Sequence, residues 1–251
     1  MLLGIPESEQ ESIRDRMGAN LRLDEAAPKD QTDFMAGALE LFSDYIDYRV
    51  DNPSDDLMTD LLVAEFEDSD GTTRRLERTE ILMYLTLLAG AGNETTARLI
   101  GWTGKVLAEH PDQLRQVAEN RALVPQVIEE VLRFEAPSPV QARTVWRDVD
   151  VHGHSIAEGS VMVLLNGSGN RDDRRFPNGD AFDISREIGH HLSFGYGLHF
   201  CLGAALARLE GRVALDEVLK RWPHWEVDYD HAVMAHTSTT RGWERLPVTT
   251  V

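Results

Sequence analysis

Cysteine is nearly absent from this sequence, since only one of its 251 residues is cysteine, at position 201. An internal disulfide is therefore impossible, which favours a reducing compartment over secretion. Basic residues are also scarce: 25 lysines and arginines stand against 43 aspartates and glutamates, for a formal net charge of −18. Nucleic acids and anionic membrane surfaces attract basic patches, so neither is an expected partner.

Long apolar runs are lacking as well. The longest strongly apolar run, Ile81 to Gly92, is too short to span a bilayer and is interrupted by Tyr84 and Thr86. The opening residues 1–7 have neither the basic region nor the apolar segment of a secretory signal. The sequence therefore predicts a cytoplasmic protein without a membrane anchor.

The hydrophobic pattern predicts a mainly α protein with small antiparallel β-sheets. A helix is expected to begin near Pro6, and the other predicted helices of the first half cover about residues 34–51, 54–66, 78–109, 111–119 and 125–134. A polar break is expected at residues 68–71. Short β-rich runs between residues 143 and 165 predict a small sheet, and a long irregular loop follows over residues 166–187. A further helix after Cys201 and hairpin strands from residue 225 to the end complete the pattern.

The segment over residues 194–203 contains the single cysteine. Gly195 and Gly197 carry no Cβ, so they let the backbone turn sharply and approach a flat ligand. The pattern becomes helical from residue 202 onward, where one face carries Leu202, Leu206, Leu209 and Val213. Cys201 is therefore expected at a helix N-terminus, where free N–H groups favour a thiolate. Such a thiolate is how a protein ligates haem iron through cysteine, and a structural cysteine buried in a tight turn is the alternative.

The order Phe-Gly-x-Gly-x-His-x-Cys-x-Gly, continued by Ala-Arg-Leu-Glu at residues 207–210, resembles the cysteine-ligand loop of the cytochrome P450 family. The resemblance implies a cytochrome P450 fold, haem as the cofactor and Cys201 as the metal ligand. It also implies haem-binding positions at Phe194, Gly195, His199 and Gly203. Among these, His199 is expected to pair with a haem propionate.

A second motif lies inside the long predicted helix, where residues 89–96 read Ala-Gly-Ala-Gly-Asn-Glu-Thr-Thr. Each glycine inside a helix costs about 1 kcal/mol relative to alanine. One interpretation is close packing against another helix, and the other is a local distortion that lets a flat cofactor lie against this helix. The segment resembles the family's oxygen-activation motif. This implies that Ala91 or Gly92 faces the haem and that Glu94 and Thr95 relay protons as the catalytic pair.

Four charged residues complete the family pattern. Glu130 and Arg133 are three residues apart on one predicted helix, which by itself is typical of an exposed ion pair. The resemblance instead implies the family's structural Glu-x-x-Arg, locked by a meander arginine for which Arg186 is the candidate. Arg143, at the start of the first β run, is either solvated or, as the family implies, paired with a haem propionate.

These motifs occur in family order from about residue 80 to 210, and the opening residues 2–7 resemble the family's middle. We therefore expect residues 1–251 to be the C-terminal portion of a single domain that lacks the N-terminal helices. The implied function is a haem-thiolate monooxygenase that inserts one oxygen atom from O2 into a small apolar substrate. Its electrons would come from a ferredoxin-type donor and an NAD(P)H-dependent reductase. A truncated, inactive fragment and a non-catalytic haem-binding module remain the alternatives.

Overall fold

The computed structural model describes residues 3–19 and 31–250. These residues divide into two compact units, the first ending at Glu94 and the second beginning at Thr95. The first two residues of the sequence, and the side chains of Phe34 and Ala38 in the helix predicted over residues 34–51, lie outside the described part.

Helices dominate the first unit, as expected. They are α1 (Glu7–Ala19), α2 (Gln31–Asp51), α3 (Leu57–Val63) and the first part of α4 (Arg78–Glu109). The apolar side chains at the centre of this unit, among them Phe42, Ile46 and Leu85, are almost completely buried. These residues recur at helical spacing, so burial of one face of each helix follows directly from the sequence.

The helix expected over residues 54–66 is shorter than predicted. Asp56 caps α3 by accepting the backbone N–H of Thr59, and the helix ends at Val63. Strand β1 (Glu65–Glu67) then pairs antiparallel with β2 (Thr73–Arg75). The expected polar break is the turn of this hairpin, in which Gly71 has a φ of 84° that glycine adopts without strain.

The second unit contains the rest of α4 and most of the β structure. Its further helices are α5 (Pro111–Glu119), α6 (Val124–Phe134), α7 (Asn166–Gly169) and α8 (Ala204–Arg221). Its strands are β3 (Gln141–Thr144), β4 (Val149–Val151), β5 (His154–Ile156), β6 (Val161–Leu164), β7 (Trp225–Val227), β8 (Val233–Met234), β9 (Trp243–Arg245) and β10 (Val248–Thr250). They form the antiparallel pairs β3–β6, β4–β5, β7–β10 and β8–β9. The predicted fold class, mainly α with small antiparallel sheets, is confirmed.

The packing of α8 differs from the pattern of its leucines. The helix begins at Ala204 rather than at Leu202, and its leucine-rich face is exposed. The buried face instead carries Ala204, Gly211, Leu215 and Leu219. A Cβ at Gly211 would lie 3.1 Å from Leu99 Cδ2, so glycine allows α8 to pack closely against the core of this unit.

The long helix α4 has 32 residues, but its apolar character is not continuous. Among the helices of residues 3–19 and 31–250, none combines the length and the hydropathy that crossing a bilayer requires.

Candidate functional site

The cysteine loop, residues 194–203, is a tightly hydrogen-bonded turn in the second unit. The backbone N–H of Cys201 donates to the carbonyl of Phe194 at 2.8 Å, and the N–H of Phe200 donates to that of Gly197 at 3.0 Å. Gly195 and Gly197 have φ values of 71° and 72°, in the left-handed region where a Cβ causes strain. The two glycines are therefore required by the shape of the loop, as the sequence predicted.

Cys201 lies just before α8 and is exposed. The expected position at a helix N-terminus needs a correction of two residues, because the helix begins at Ala204 with Gly203 as the preceding cap residue. The sulfur still lies beside the helix start, since a Cβ at Gly203 would be 4.0 Å from Cys201 Sγ. The alternative of a structural cysteine buried in a tight turn is wrong.

Apolar side chains around this exposed thiol are also exposed. Tyr196 is 80% exposed, Leu198 is 103% exposed and Leu202 is 83% exposed. Clustered exposure of large apolar side chains marks a binding surface more often than a solvated one. An exposed sulfur within an apolar surface has the chemical character of a ligand for a flat, largely apolar metal complex.

The other residues expected to bind the cofactor lie on separate elements. Arg143 lies on β3, where it is exposed and its Nη1 donates to the carbonyl of Ala142 at 2.8 Å. His199 is exposed in the short turn within the cysteine loop. Phe194 is buried and belongs to the core of the second unit. The structure thus brings Phe194, Gly195, His199, Cys201 and Gly203 together in one loop and places Arg143 on a strand.

The glycine-containing segment of α4 remains helical throughout. At Gly90 the packing interpretation is correct, because a Cβ there would lie 3.1 Å from Met17 Cε. Gly92 is different, since nothing lies within 4 Å of its Cβ position and both Gly92 and Ala91 are exposed. The helix is therefore narrow at an open position. The consecutive residues Glu94 and Thr95 are half-buried.

The Glu130–Arg133 pair is completely buried. Arg133 Nε and Nη2 each donate to the Glu130 carboxylate at 2.7 Å, and both side chains are 0% exposed. Arg133 also donates to the carbonyls of Asn170, Gly179 and Ala181. Arg186 approaches the same carboxylate at 3.3 Å. The interpretation as an exposed ion pair is therefore wrong, and the expected contact with Arg186 is present.

A second charged cluster was not found from the sequence. Glu129, next to Glu130 on α6, accepts hydrogen bonds from Arg208 of α8 and contacts the buried ring of His191. Burial raises the pKa of Glu129, but the hydrogen bonds from His191 and Arg208 outweigh it and lower the pKa to about 2. Two features of the sequence could have indicated this cluster. One is Glu129 directly before Glu130, and the other is Arg208 in the segment that continues the cysteine motif.

The family model described as cytochrome P450 matches residues 17–241. Cytochrome P450 123 of Mycobacterium tuberculosis is 41% identical over 98% of this chain and 61% of that protein. Vitamin D(3) 25-hydroxylase of Pseudonocardia autotrophica is 35% identical, over 99% of this chain and 61% of that protein. The chain thus spans about three-fifths of the length of these relatives.

Two solved structures have the same fold as this chain and share about a third of its aligned residues. A structure of P450BioI, in complex with an acyl carrier protein carrying hexadec-9Z-enoic acid, has a TM-score of 0.88 and 34% identity, over 100% of this chain and 64% of that chain. A mutant of P450 EryK in complex with erythromycin B has a TM-score of 0.89 and 34% identity, over 99% of this chain and 65% of that chain.

Proposed function

Because the chain belongs to the cytochrome P450 family, whose members bind haem through a cysteine thiolate, we propose that Cys201 is its axial iron ligand. The residues present fit this group. The sulfur is exposed in a loop that two left-handed glycines turn, and apolar side chains surround it. Cys201 is the single cysteine of the sequence, so this chain offers no other thiolate. The geometry of the cysteine loop is the observation that carries the proposal.

Further haem contacts are proposed on the loop, on β3 and on α4. Arg143 and His199 are exposed and carry N–H donors suited to propionate carboxylates. Gly195 and Gly203 let the backbone approach the ring, and Phe194 supports the loop from the core. Ala91 and Gly92, two small and exposed residues of α4, are the proposed haem-facing positions on that helix.

The proposed activity is that of a haem-thiolate monooxygenase acting on a small apolar substrate. When bound, haem supplies the reductive activation of dioxygen by which one oxygen atom enters the substrate. Cys201 holds the iron through its sulfur. Glu94 and Thr95 are the proposed catalytic pair, in which protons pass from the Glu94 carboxyl group to the Thr95 hydroxyl and on to the site. A ferredoxin-type protein is proposed as the electron donor and the cytoplasm as the location.

A second candidate function is haem binding without turnover. The exposed face of α8, with Leu206, Leu209 and Val213, favours it because apolar surface of this kind supports ligand binding and supplies no group for proton transfer. The two candidates differ in product formation and agree in the role of Cys201.

The first experiment loads the 251-residue chain with haem and records its reduced carbon-monoxide spectrum. We expect a thiolate-type band that disappears in Cys201→Ser and persists in Tyr196→Phe, a matched change at an exposed position of the same loop. Survival of the band in Cys201→Ser would show that the ligand assignment is wrong.

The second experiment measures product formed and NAD(P)H consumed with a ferredoxin and its reductase. Turnover supports the monooxygenase, whereas stoichiometric haem without product supports the second candidate. If turnover occurs, Thr95→Ala should retain haem and still consume NAD(P)H while its product yield per electron falls. An unchanged yield contradicts the proton-relay role of Thr95.

A further inference from the structure

Two adjacent glutamates on α6 have entirely different partners. Glu130 accepts from Arg133 and from the backbone N–H of Asp183, so it holds the meander that follows β6. Glu129 turns to another part of the same unit, where it contacts Arg208 on α8 and His191, which precedes the cysteine loop. The second cluster therefore joins α6 to both ends of the loop that carries Cys201.

The geometry of this cluster is specific. Arg208 Nε donates to Glu129 Oε1 at 2.6 Å and its Nη2 donates to Oε2 at 3.0 Å, a bidentate pairing. His191 Nδ1 accepts the backbone N–H of Ser193 at 3.2 Å. In the neutral ring the proton is therefore on Nε2, which donates to Glu129 Oε2 at 3.2 Å. Both side chains bound to Glu129 have fixed orientations.

Both partners of Glu129 also contact the ring of Phe194. The Arg208 guanidinium lies 4.4 Å from the ring centroid, and the His191 ring centroid lies 5.6 Å away. Phe194 is 8% exposed, and its carbonyl accepts the backbone N–H of Cys201 at 2.8 Å. The position of Phe194 therefore sets the position at which the cysteine backbone is anchored.

We propose that Glu129, His191 and Arg208 form a clamp on Phe194 that positions the backbone of Cys201. The three are positioning residues, since they act on the cysteine through Phe194 and its carbonyl. An ion pair that merely ties α6 to α8 would not require the guanidinium and the imidazole both to contact the same aromatic ring. The consequence for an iron ligand rests on the proposed function, whereas the clamp itself is a property of the chain without haem.

The decisive measurement is hydrogen exchange of the Cys201 amide in the full 251-residue chain without haem. We expect Glu129→Gln and Arg208→Gln each to speed this exchange about tenfold, because the loop opens locally once Phe194 is released. The double variant should add little to either single change, since the residues act as one unit. Arg221→Gln removes an exposed ion pair near the end of the same helix and should leave the Cys201 amide unchanged.

Arg208→Lys keeps the charge but loses the bidentate fork, so its exchange should be intermediate. The proposal is overturned if the Cys201 amide is unprotected in the unaltered chain. It is also overturned if exchange rises equally at the amides of α5, because a purely structural role would move all amides together.

A second arm uses the haem-loaded chain and its reduced carbon-monoxide spectrum. The clamp variants should show a smaller fraction of the thiolate-type band at equal haem content. Failure of the unaltered chain to bind haem would contradict the proposed function and leave the exchange result standing as the test of the clamp. An unchanged band fraction in variants with faster Cys201 exchange would overturn the link between the clamp and the ligand.

Discussion

The network around Glu130 and the cysteine loop around Cys201 both depend on contacts with the short helix α6, but they differ in how completely the chain satisfies its own polar groups. In the network, both charged partners are 0% exposed and their donors are taken up by carbonyls of the same chain. In the loop, the chain orders its own backbone but leaves the sulfur and several large apolar side chains exposed.

The difference separates stability from ligand chemistry. A buried ion pair is stable only when all its charges are compensated within the chain, so the network has nothing left to offer a ligand. The loop has the reverse design, because its glycines and its anchored amide fix the shape while the reactive face remains open. Glu129 is intermediate between these two designs, since it is partly buried and belongs to the clamp proposed to position the backbone of the open loop.

The largest loss of unfolding free energy is expected when one charged partner is removed from the closed network around Glu130. Glu130→Ala leaves the Arg133 guanidinium buried without its carboxylate, which should cost about 3–5 kcal/mol of unfolding free energy. Urea unfolding measures this loss, and Glu130→Gln serves where the alanine variant does not fold. Glu217→Ala, which removes exposed ion pairs with Lys220 and Arg221, should change stability by no more than about 1 kcal/mol. A loss below about 1 kcal/mol for Glu130→Ala would place this pair with the exposed ones.

A smaller effect on the unfolding free energy is expected at Glu129, and this effect depends on pH. The pKa of Glu129 is lowered from 4.5 to about 2, so its contribution is present above pH 4.5 and is lost as pH falls toward 2. The stability difference between the unaltered chain and Glu129→Gln should be on the order of 2 kcal/mol near neutral pH and shrink across that range. His191 and Arg208 face this carboxylate and supply the effect.

Unfolding free energies at several pH values check the prediction. Glu119→Gln, at an exposed position at the end of α5, controls for removing one negative charge from an acidic chain. A difference between the unaltered chain and Glu129→Gln that stays constant down to the acid limit would contradict the assignment to Glu129.

The sequence alone predicted less about the network around Glu130 than about the cysteine loop. The spacing of Glu130 and Arg133 could not by itself distinguish a buried pair from an exposed one, and only the family resemblance indicated the lock with Arg186. The sharp turn at the loop's glycines was predicted from their lack of a Cβ, and both glycines have positive φ values there. The end of α4 at Glu109 was also predicted, because the proline at position 111 disfavours helical backbone just before it.

Elements that depend on tertiary contacts were harder to predict. The helix predicted over residues 54–66 included Phe66, which instead lies in the hairpin β1–β2 with the guanidinium of Arg74 over its ring. The leucine face of α8 was visible, but its exposure was not, because Gly211 decides which side of the helix packs closely. The clamp around Glu129 joins residues 62 and 79 positions apart, which no local pattern connects.

The smallest change in unfolding free energy is expected at Leu198, and it tests the difference between the closed network and the open loop most directly. Leu198 is 103% exposed within the cysteine loop, so Leu198→Ser removes no packed contact and should change the unfolding free energy of the haem-free chain by less than about 0.5 kcal/mol. The same change should weaken haem binding, because it places a hydroxyl on a surface proposed to cover an apolar ring.

Calorimetry of the haem-free chain and haem titration measure the two quantities separately. Val149→Ser, at an exposed apolar position on β4, is the matched control and should leave haem affinity unchanged. Equal haem affinities for the unaltered chain and Leu198→Ser would mean that the open side of the loop does not contact the ring, while a large loss of stability would mean that the loop is closed like the network.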